Sequence, residues 1–446
     1  MSRTCEMAAS GPGYASPQEA MKAPREEFLY VACLHEGTGI SEPDFLAVVD
    51  VNPQSDAYQQ ITHRTRMPNV GDELHHFGWQ TCSSSHHCGG LQRQYLVVPG
   101  FQSSRVHILD VRSDPRKPEI VKVIEPEELI RKTGYSRPHT VHCMPGGIIT
   151  LSMLGDAAGN APGGFAVLDA SDFSVLGRWE RDKGDQSLNY DFWYQPRKNT
   201  LVSTEWAPPN TYEGGFNLDD VSAGKYGHRL HFWDLEQRTH VQTVELGETG
   251  LIPLECRWLH DPDAETGFVG AALSSTIWRW LPQNGGWGVE KVIEVESKEL
   301  EGWPMPVPGL ITDLVVSMDD RYLYLSNWLH GDIRQYDISE PARPKLKGQV
   351  WCGGVLGPVK HGDRQLSGGP QMLQISMDGR RLYVTNSLFS TWDNQFYPNL
   401  ESWMLKIDCH PQGGMTLDPD FYVEFGPARS HEIRLPGGDP TTEIFA

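Results

Sequence analysis

Histidines stand beside apolar runs at three widely separated points of this chain: His75 and His76 in DELHHFGW, His139 and His142 in PHTVHC, and His431 in HEIRLPGG. A neutral imidazole offers one lone pair, and several converging imidazoles make a site for a first-row transition ion such as copper, iron, zinc or nickel. Glu255 in PLECRW and Asp313 in ITDLVV add carboxylates in similar surroundings, suited to accept a proton or orient a water. By contrast, His86 and His87 in SSSHHC read as solvated loop residues. The first and last of these positions lie hundreds of residues apart, so only the fold can bring them together.

The element that must do so is a repeat. Alternating apolar positions ending in aspartate recur as FLAVVDV (45–51), RVHILDV (105–111), FAVLDAS (165–171), RLHFWDL (229–235), IRQYDIS (333–339) and SWMLKID (402–408), and TIWRWL (276–281) fills the gap. Period-two alternation marks a strand with one buried face, and the aspartate suits the turn that follows. A second pattern of strand, turn and strand interleaves with it, beginning near residues 74, 138, 190, 253, 312, 371 and 431. Seven such units predict an all-β chain folded as a seven-bladed β-propeller. The chain begins with an outer pattern and ends with an inner one. The ring is therefore expected to close by pairing residues 28–51 with C-terminal strands near 431–446. Residues 1–27 then form an extension packed on the propeller, and 28–446 a single domain. An open pair of β-sandwiches is the alternative.

In a propeller the first residues of each inner strand face the central channel. Here they are His75/His76, His139 or His142, Asp191, Glu255, Thr312/Asp313, Gln371 and His431. The histidines fall in the first, second and seventh units, which become neighbours on closure. Register leaves choices open, because adjacent strand residues face opposite ways unless a bulge intervenes. His75 and His76 compete in this sense, and so do His139 and His142. Counting back from the PGG turns at 145–147 and 436–438 sets His431 level with Thr140, between that pair; Pro138 at the strand start favours His139. Asp72 and Glu432 are candidates to orient the imidazoles, and Trp79, Trp206, Trp303 and Trp328 to wall an apolar pocket.

Net charge is −20, from 38 basic and 58 acidic residues, and no basic stripe interrupts it. That field argues against nucleic acid or an anionic membrane surface as partners. Eight scattered cysteines do not read as a disulfide framework, and no long apolar span or secretory leader is evident. These features predict a cytoplasmic protein without membrane insertion and with no obligatory disulfide.

The segments GPGYASPQEAMKAPREE, DELHHFGWQTCSS, YDFWYQPRKN, STEWAPPN, YLSNWLHGDIRQYDIS and HEIRLPGGD resemble the selenium-binding protein / methanethiol oxidase family, and the similarity spans nearly the whole chain. The resemblance implies a propeller, copper as cofactor, and oxidation of methanethiol with O2 and water to formaldehyde, hydrogen sulfide and hydrogen peroxide. Carried over by motif, the implied metal residues are His75, His76, His139, His142 and His431. Two departures stand out. The family's T-C-S-S-C is here Thr81, Cys82, Ser83, Ser84 and Ser85. Where vertebrate members carry a cysteine proposed to hold selenium, this chain has Gln59 in AYQQITHR. The other function classes to weigh are a non-catalytic selenium- or thiol-binding carrier working through Cys82, and a calcium-dependent lactonase. The latter wants acidic and amide ligands at the axis rather than histidines.

Overall fold

Each of the recurring apolar segments becomes the third strand of a four-stranded antiparallel sheet, and in five of the seven the aspartate is the last residue of that strand. In the computed structural model, which describes residues 11–86 and 90–446, Asp50, Asp110, Asp169 and Asp337 each accept a hydrogen bond from the amide two residues on, at 2.7–3.0 Å. The side chain thereby mimics a backbone turn and stops the strand. Seven four-stranded sheets result, with a small two-stranded ribbon, Lys360–His361 and Arg364–Gln365, beside them. The chain is a seven-bladed β-propeller. The first strands of the blades are Gly78–Trp79, Tyr135–Met144, Phe192–Gln195, Pro253–Trp258, Ile311–Val316, Leu373–Ile375 and Arg429–Arg434. They contact one another around most of the ring.

The seventh blade joins the two ends of the chain. Arg429–Arg434 pairs with Phe28–Leu34, followed outward by Phe45–Asp50 and Ile61–Arg66. One C-terminal strand closes the ring, not the several expected near 431–446. The cause lies in the sequence PGGDP: Gly437 and Gly438 adopt φ of 81° and 103°, and the flanking prolines cannot donate to a ladder. The segment after residue 434 becomes a buried tail. Its Glu443 accepts from the Ser83 amide at 2.9 Å and pairs with Arg93, its Pro440 carbonyl meets His260 Nε2 at 2.8 Å, and Thr441 donates to Gln374 at 2.9 Å. The tail thus ties blades one, four and six together.

Of the expected N-terminal extension, residues 11–27 are described. A short helix, Pro17–Ala20, is capped by Ser16, and Ala20 packs with Met318, Met377 and Phe445. Glu26 is buried against Arg381 and Tyr383. No helix among the described residues is long and apolar enough to cross a membrane. The expectation of unpaired cysteines needs correction. Cys82 and Cys143 form a disulfide, with Cα atoms 6.2 Å apart. They are 61 residues apart in sequence, but the ring makes the ends of the first two inner strands neighbours, which spacing alone does not reveal. Cys33, Cys256, Cys352 and Cys409 are free and buried, and Cys88 and His87 lie outside the described residues.

The tail anchor at His260 carries a pH signature. Burial opposes the imidazolium, but Asp320, 3.0 Å from Nδ1, and the Pro440 carbonyl outweigh it, with Asp319 adding to the effect. His260 is therefore held above the ordinary histidine value of 6.5. A raised folded pKa stabilises fully below the unfolded value, and the contribution fades as pH rises through the folded one. The thermal stability lost in His260→Gln should accordingly be larger at about pH 6 than at about pH 9. An equal loss at both would mean that the anchor carries no charge.

Candidate metal centre

A plain strand cannot turn consecutive residues toward the axis, and here the strand openings are not plain. Register shifts interrupt Tyr135–Met144 between Pro138 and Val141, Pro253–Trp258 between Pro253 and Cys256, and Ile311–Val316 between Ile311 and Asp313. Arg429–Arg434 carries one opposite Val31 and Cys33. Such bulges let neighbouring side chains share a face. His75 and His76 need no bulge, because they lie in an irregular segment whose one ladder contact is the isolated bridge from Leu74 to Gly100.

Four imidazoles consequently meet at the axis. Ligand atoms of His75, His76 and His431 lie within 4.8 Å of one another, and so do those of His76, His139 and Glu255. His75 stacks on His431 with ring centroids 3.7 Å apart, and His76 lies 4.0 Å from His139. All four are buried. Their tautomers follow from the hydrogen bonds. His431 Nδ1 donates to the Ser387 carbonyl at 2.7 Å. The Thr140 hydroxyl spends its only hydrogen on Asp191 Oδ1 at 2.7 Å, so its oxygen accepts from His139 Nδ1 at 3.1 Å. Nε2 then carries the lone pair in both rings. The Nε2 atoms of His76, His139 and His431 have no hydrogen-bond partner among the described residues.

Burial, reinforced by neighbouring rings, pushes His75 and His76 well below the ordinary histidine value. Burial likewise brings His139 to about 3 and His431 to about 4. All four are neutral near pH 7, the form that binds a metal. Neutral nitrogen donors in two overlapping groups that share His76 fit a first-row transition ion.

Next along the axis is a belt of charge. His76 Nε2 stands 3.6 Å from Glu255 Oε1 and 3.5 Å from Glu432 Oε2. Arg257 bonds Asp191 and Glu255 at 2.8 Å each, and Arg434 bonds Glu432 at 2.7 Å. Burial lifts Glu255 well above the carboxylate range and Glu432 to about 8, against the pull of the arginines. Burial works the same way on Asp191, but Arg257, the Cys256 amide and Thr140 outweigh it and keep it ionised. Asp313, pushed to about 7 by burial, caps the Leu373 amide at 2.7 Å and faces Arg257 at 3.6 Å rather than the imidazoles.

Other candidates fall elsewhere. His142 belongs to neither group; beyond the bulge it turns into blade three and packs edge-on against Phe192 and Trp193. Asp72 pairs with Arg105 and His107 and does not orient the ring histidines. Of the four tryptophans, Trp206 lines a small cavity beside His75, with Tyr190, Leu254, Thr312, Phe389 and Trp392. Trp79 lies under Arg93, and Trp303 and Trp328 pack on Phe396. Gln59 bridges to blade six through the Asp420 carbonyl at 2.8 Å. Thr140, Ser387, Arg257 and Arg434 were not anticipated. A signal for the arginines exists, since Glu255-Cys256-Arg257 and Glu432-Ile433-Arg434 repeat one E-x-R pattern at equivalent inner strands.

None of the four axial imidazoles should titrate between about pH 5 and 8 in metal-free protein. Nitrogen-15 NMR of labelled histidine checks this, and a ring that protonates near 6.5 would contradict the burial of the cluster. Their depressed pKa values also make the fold lose stability as pH falls below the unfolded histidine value, because the unfolded chain then binds more protons.

Comparison with known proteins agrees with this architecture. Residues 8–446 match the family described as 56kDa selenium binding protein (SBP56). A Xenopus laevis protein named methanethiol oxidase is 52% identical over 98% of both chains, and a Homo sapiens protein of the same name is 51% identical over 98% of both. The X-ray structure of a hypothetical selenium-binding protein from Sulfolobus tokodaii superposes with a TM-score of 0.95 at 49% identity, covering 97% of this chain and 98% of that one. With the family spanning the described propeller from end to end, the chain belongs to the 56kDa selenium binding protein (SBP56) family.

Proposed function

We propose that this chain is a copper-dependent oxidase of small alkyl thiols, converting methanethiol, O2 and water to formaldehyde, hydrogen sulfide and hydrogen peroxide. The observation that carries the reading is the axial cluster of neutral, buried imidazoles, in which His76, His139 and His431 have unpartnered Nε2 atoms and His75 lines a small, mostly apolar cavity. The names of relatives half-identical over the full length supply the substrate class. His76, shared by the two groups, would hold the metal together with His75 and His431 or with His139. Copper there supplies a Lewis acid that favours the thiolate and a redox partner for electrons leaving sulfur.

The chain's own residues do the rest. Ser387 and the Thr140–Asp191 pair hold two rings with Nε2 forward, as metal-ligating histidines require. Phe101, stacked on His75 at 4.9 Å, and Tyr190, 4.1 Å from His139, keep water from the cluster. Trp206 and Leu254 shape the cavity for a group the size of a methyl. Glu255 Oε1, without a hydrogen-bond partner among the described residues, would take a proton from substrate carbon. Burial holds Glu255 above the carboxylate range, and a cation bound beside it would favour the ionised form. Asp313 acts one step back, by holding Arg257. The carrier reading through Cys82 has little support, since that thiol is buried and bonded to Cys143.

The test is release of sulfide and peroxide from methanethiol by copper-loaded protein. His431→Ala should fold, weaken copper by more than the ~10–100-fold that loss of a ligand's hydrogen-bonding partner costs, and lose turnover. His142→Gln should keep both metal and turnover. Full copper content and full turnover in His431→Ala would overturn the reading.

A further inference from the structure

Far from the axis, blade three gathers a second set of donors that shares no residue with the first. His231 lies on Arg229–Asp234 and His240 on the outermost strand Thr239–Glu245, where a register shift between Phe232 and Trp233 brings the rings together. His231 Nδ1 and His240 Nε2 face each other at 3.2 Å. Asp185, on the loop before the blade, sets Oδ1 at 3.6 Å from His240 Nε2. Thr243 Oγ1 completes the group, 3.2 Å from His231 Nδ1, 3.1 Å from His240 Nε2 and 2.8 Å from Asp185 Oδ1. His231 and Asp185 close the set within 4.8 Å.

These separations are those of a small tetrahedron. Zinc bonded to four donors at about 2.0–2.1 Å holds them about 3.3 Å apart. The support behind the donors is also that of a metal site. Buried Glu205 accepts from His231 Nε2 at 2.8 Å and is itself held by Arg229 at 3.0 Å. The proton therefore sits on Nε2, and the Nδ1 lone pair points into the group. A carboxylate behind a ligating histidine fixes its tautomer and raises its basicity.

We propose that His231, His240 and Asp185, with the Thr243 hydroxyl or a water as fourth donor, form a zinc-binding site on the outer edge of blade three. Burial and the adjacent His231 keep His240 below the ordinary histidine value, and the Thr243 hydroxyl keeps Asp185 below the carboxylate range. Asp185 is 65% exposed, which gives an ion a path from solvent, while His231 is fully buried and anchors it. The ion would tie the loop of Asp185 to two strands of the blade.

Cobalt(II) is the probe, because four-coordinate cobalt absorbs strongly in the visible and reports a zinc site directly. Metal-stripped protein should take up cobalt with that absorption, and zinc should displace it. The signal should vanish in His240→Ala, weaken at least about tenfold in Asp185→Asn, and persist in His431→Ala. Asp185 is at the surface, so its variant folds even if His240→Ala does not. Absence of the absorption in the parent protein, its survival in Asp185→Asn at unchanged affinity, or its loss in His431→Ala would each overturn the site.

Discussion

Everything at the axis depends on one pairing, that of Arg429–Arg434 with Phe28–Leu34. It joins segments almost a whole chain apart, and all seven residues of Phe28–Leu34 are buried. Val31 and Ile433 enter a shared core with Phe45, Ala47, Tyr383 and Met404, drawing blade six against the closing blade. The Val, Ile, Phe and Met side chains among these each stabilise by about 1.5–3 kcal/mol on burial, which helps to offset the entropy of bringing the termini together. Closure also removes the open edges that a linear array of blades would expose. Its chemical consequence is the position of His431, which the Ser387 carbonyl and Thr385 then lock to blade six.

Among the buried polar atoms of the described residues that lack a hydrogen-bond partner, five gather around the axis. A buried donor or acceptor without a partner costs about 1–3 kcal/mol. Nε2 of His76, His139 and His431, Oε1 of Glu255 and Oε2 of Glu432 are all of this kind. A core selected for stability alone would not gather so many around one axis. A bound cation offsets such a cost through linkage, because it binds the folded ring and not the unfolded chain. Arg257 and Arg434 set the local charge, with two guanidinium groups among Asp191, Glu255, Asp313 and Glu432. One proton or one cation therefore shifts the balance of the whole belt.

How much was legible beforehand follows from the range of each signal. The blade repeat is local and periodic, so the seven third strands, the turn aspartates and the convergence of histidines from three adjacent blades follow from pattern and ring geometry, while that both His75 and His76 face the axis does not. His142 illustrates the limit: a bulge after Pro138 decides which of two nearby histidines faces inward, and no residue type in PHTVHC announces it. The Cys82–Cys143 bond was hidden for a related reason, since ring adjacency and not spacing brings the two together. The tail after Arg434 was misread as a strand although PGGDP carries its own interruption in two prolines and two positive-φ glycines. Asp185, His231 and His240 gave no sequence signal, because their convergence depends on a single register shift between outer strands.

Copper-edge anomalous scattering from crystals of the copper-loaded protein tests the axial site most directly. One peak is expected on the propeller axis, among the imidazoles of His75, His76, His139 and His431. An axis without a peak, in crystals whose protein retains copper and thiol oxidation, would contradict the assignment of these imidazoles to the metal.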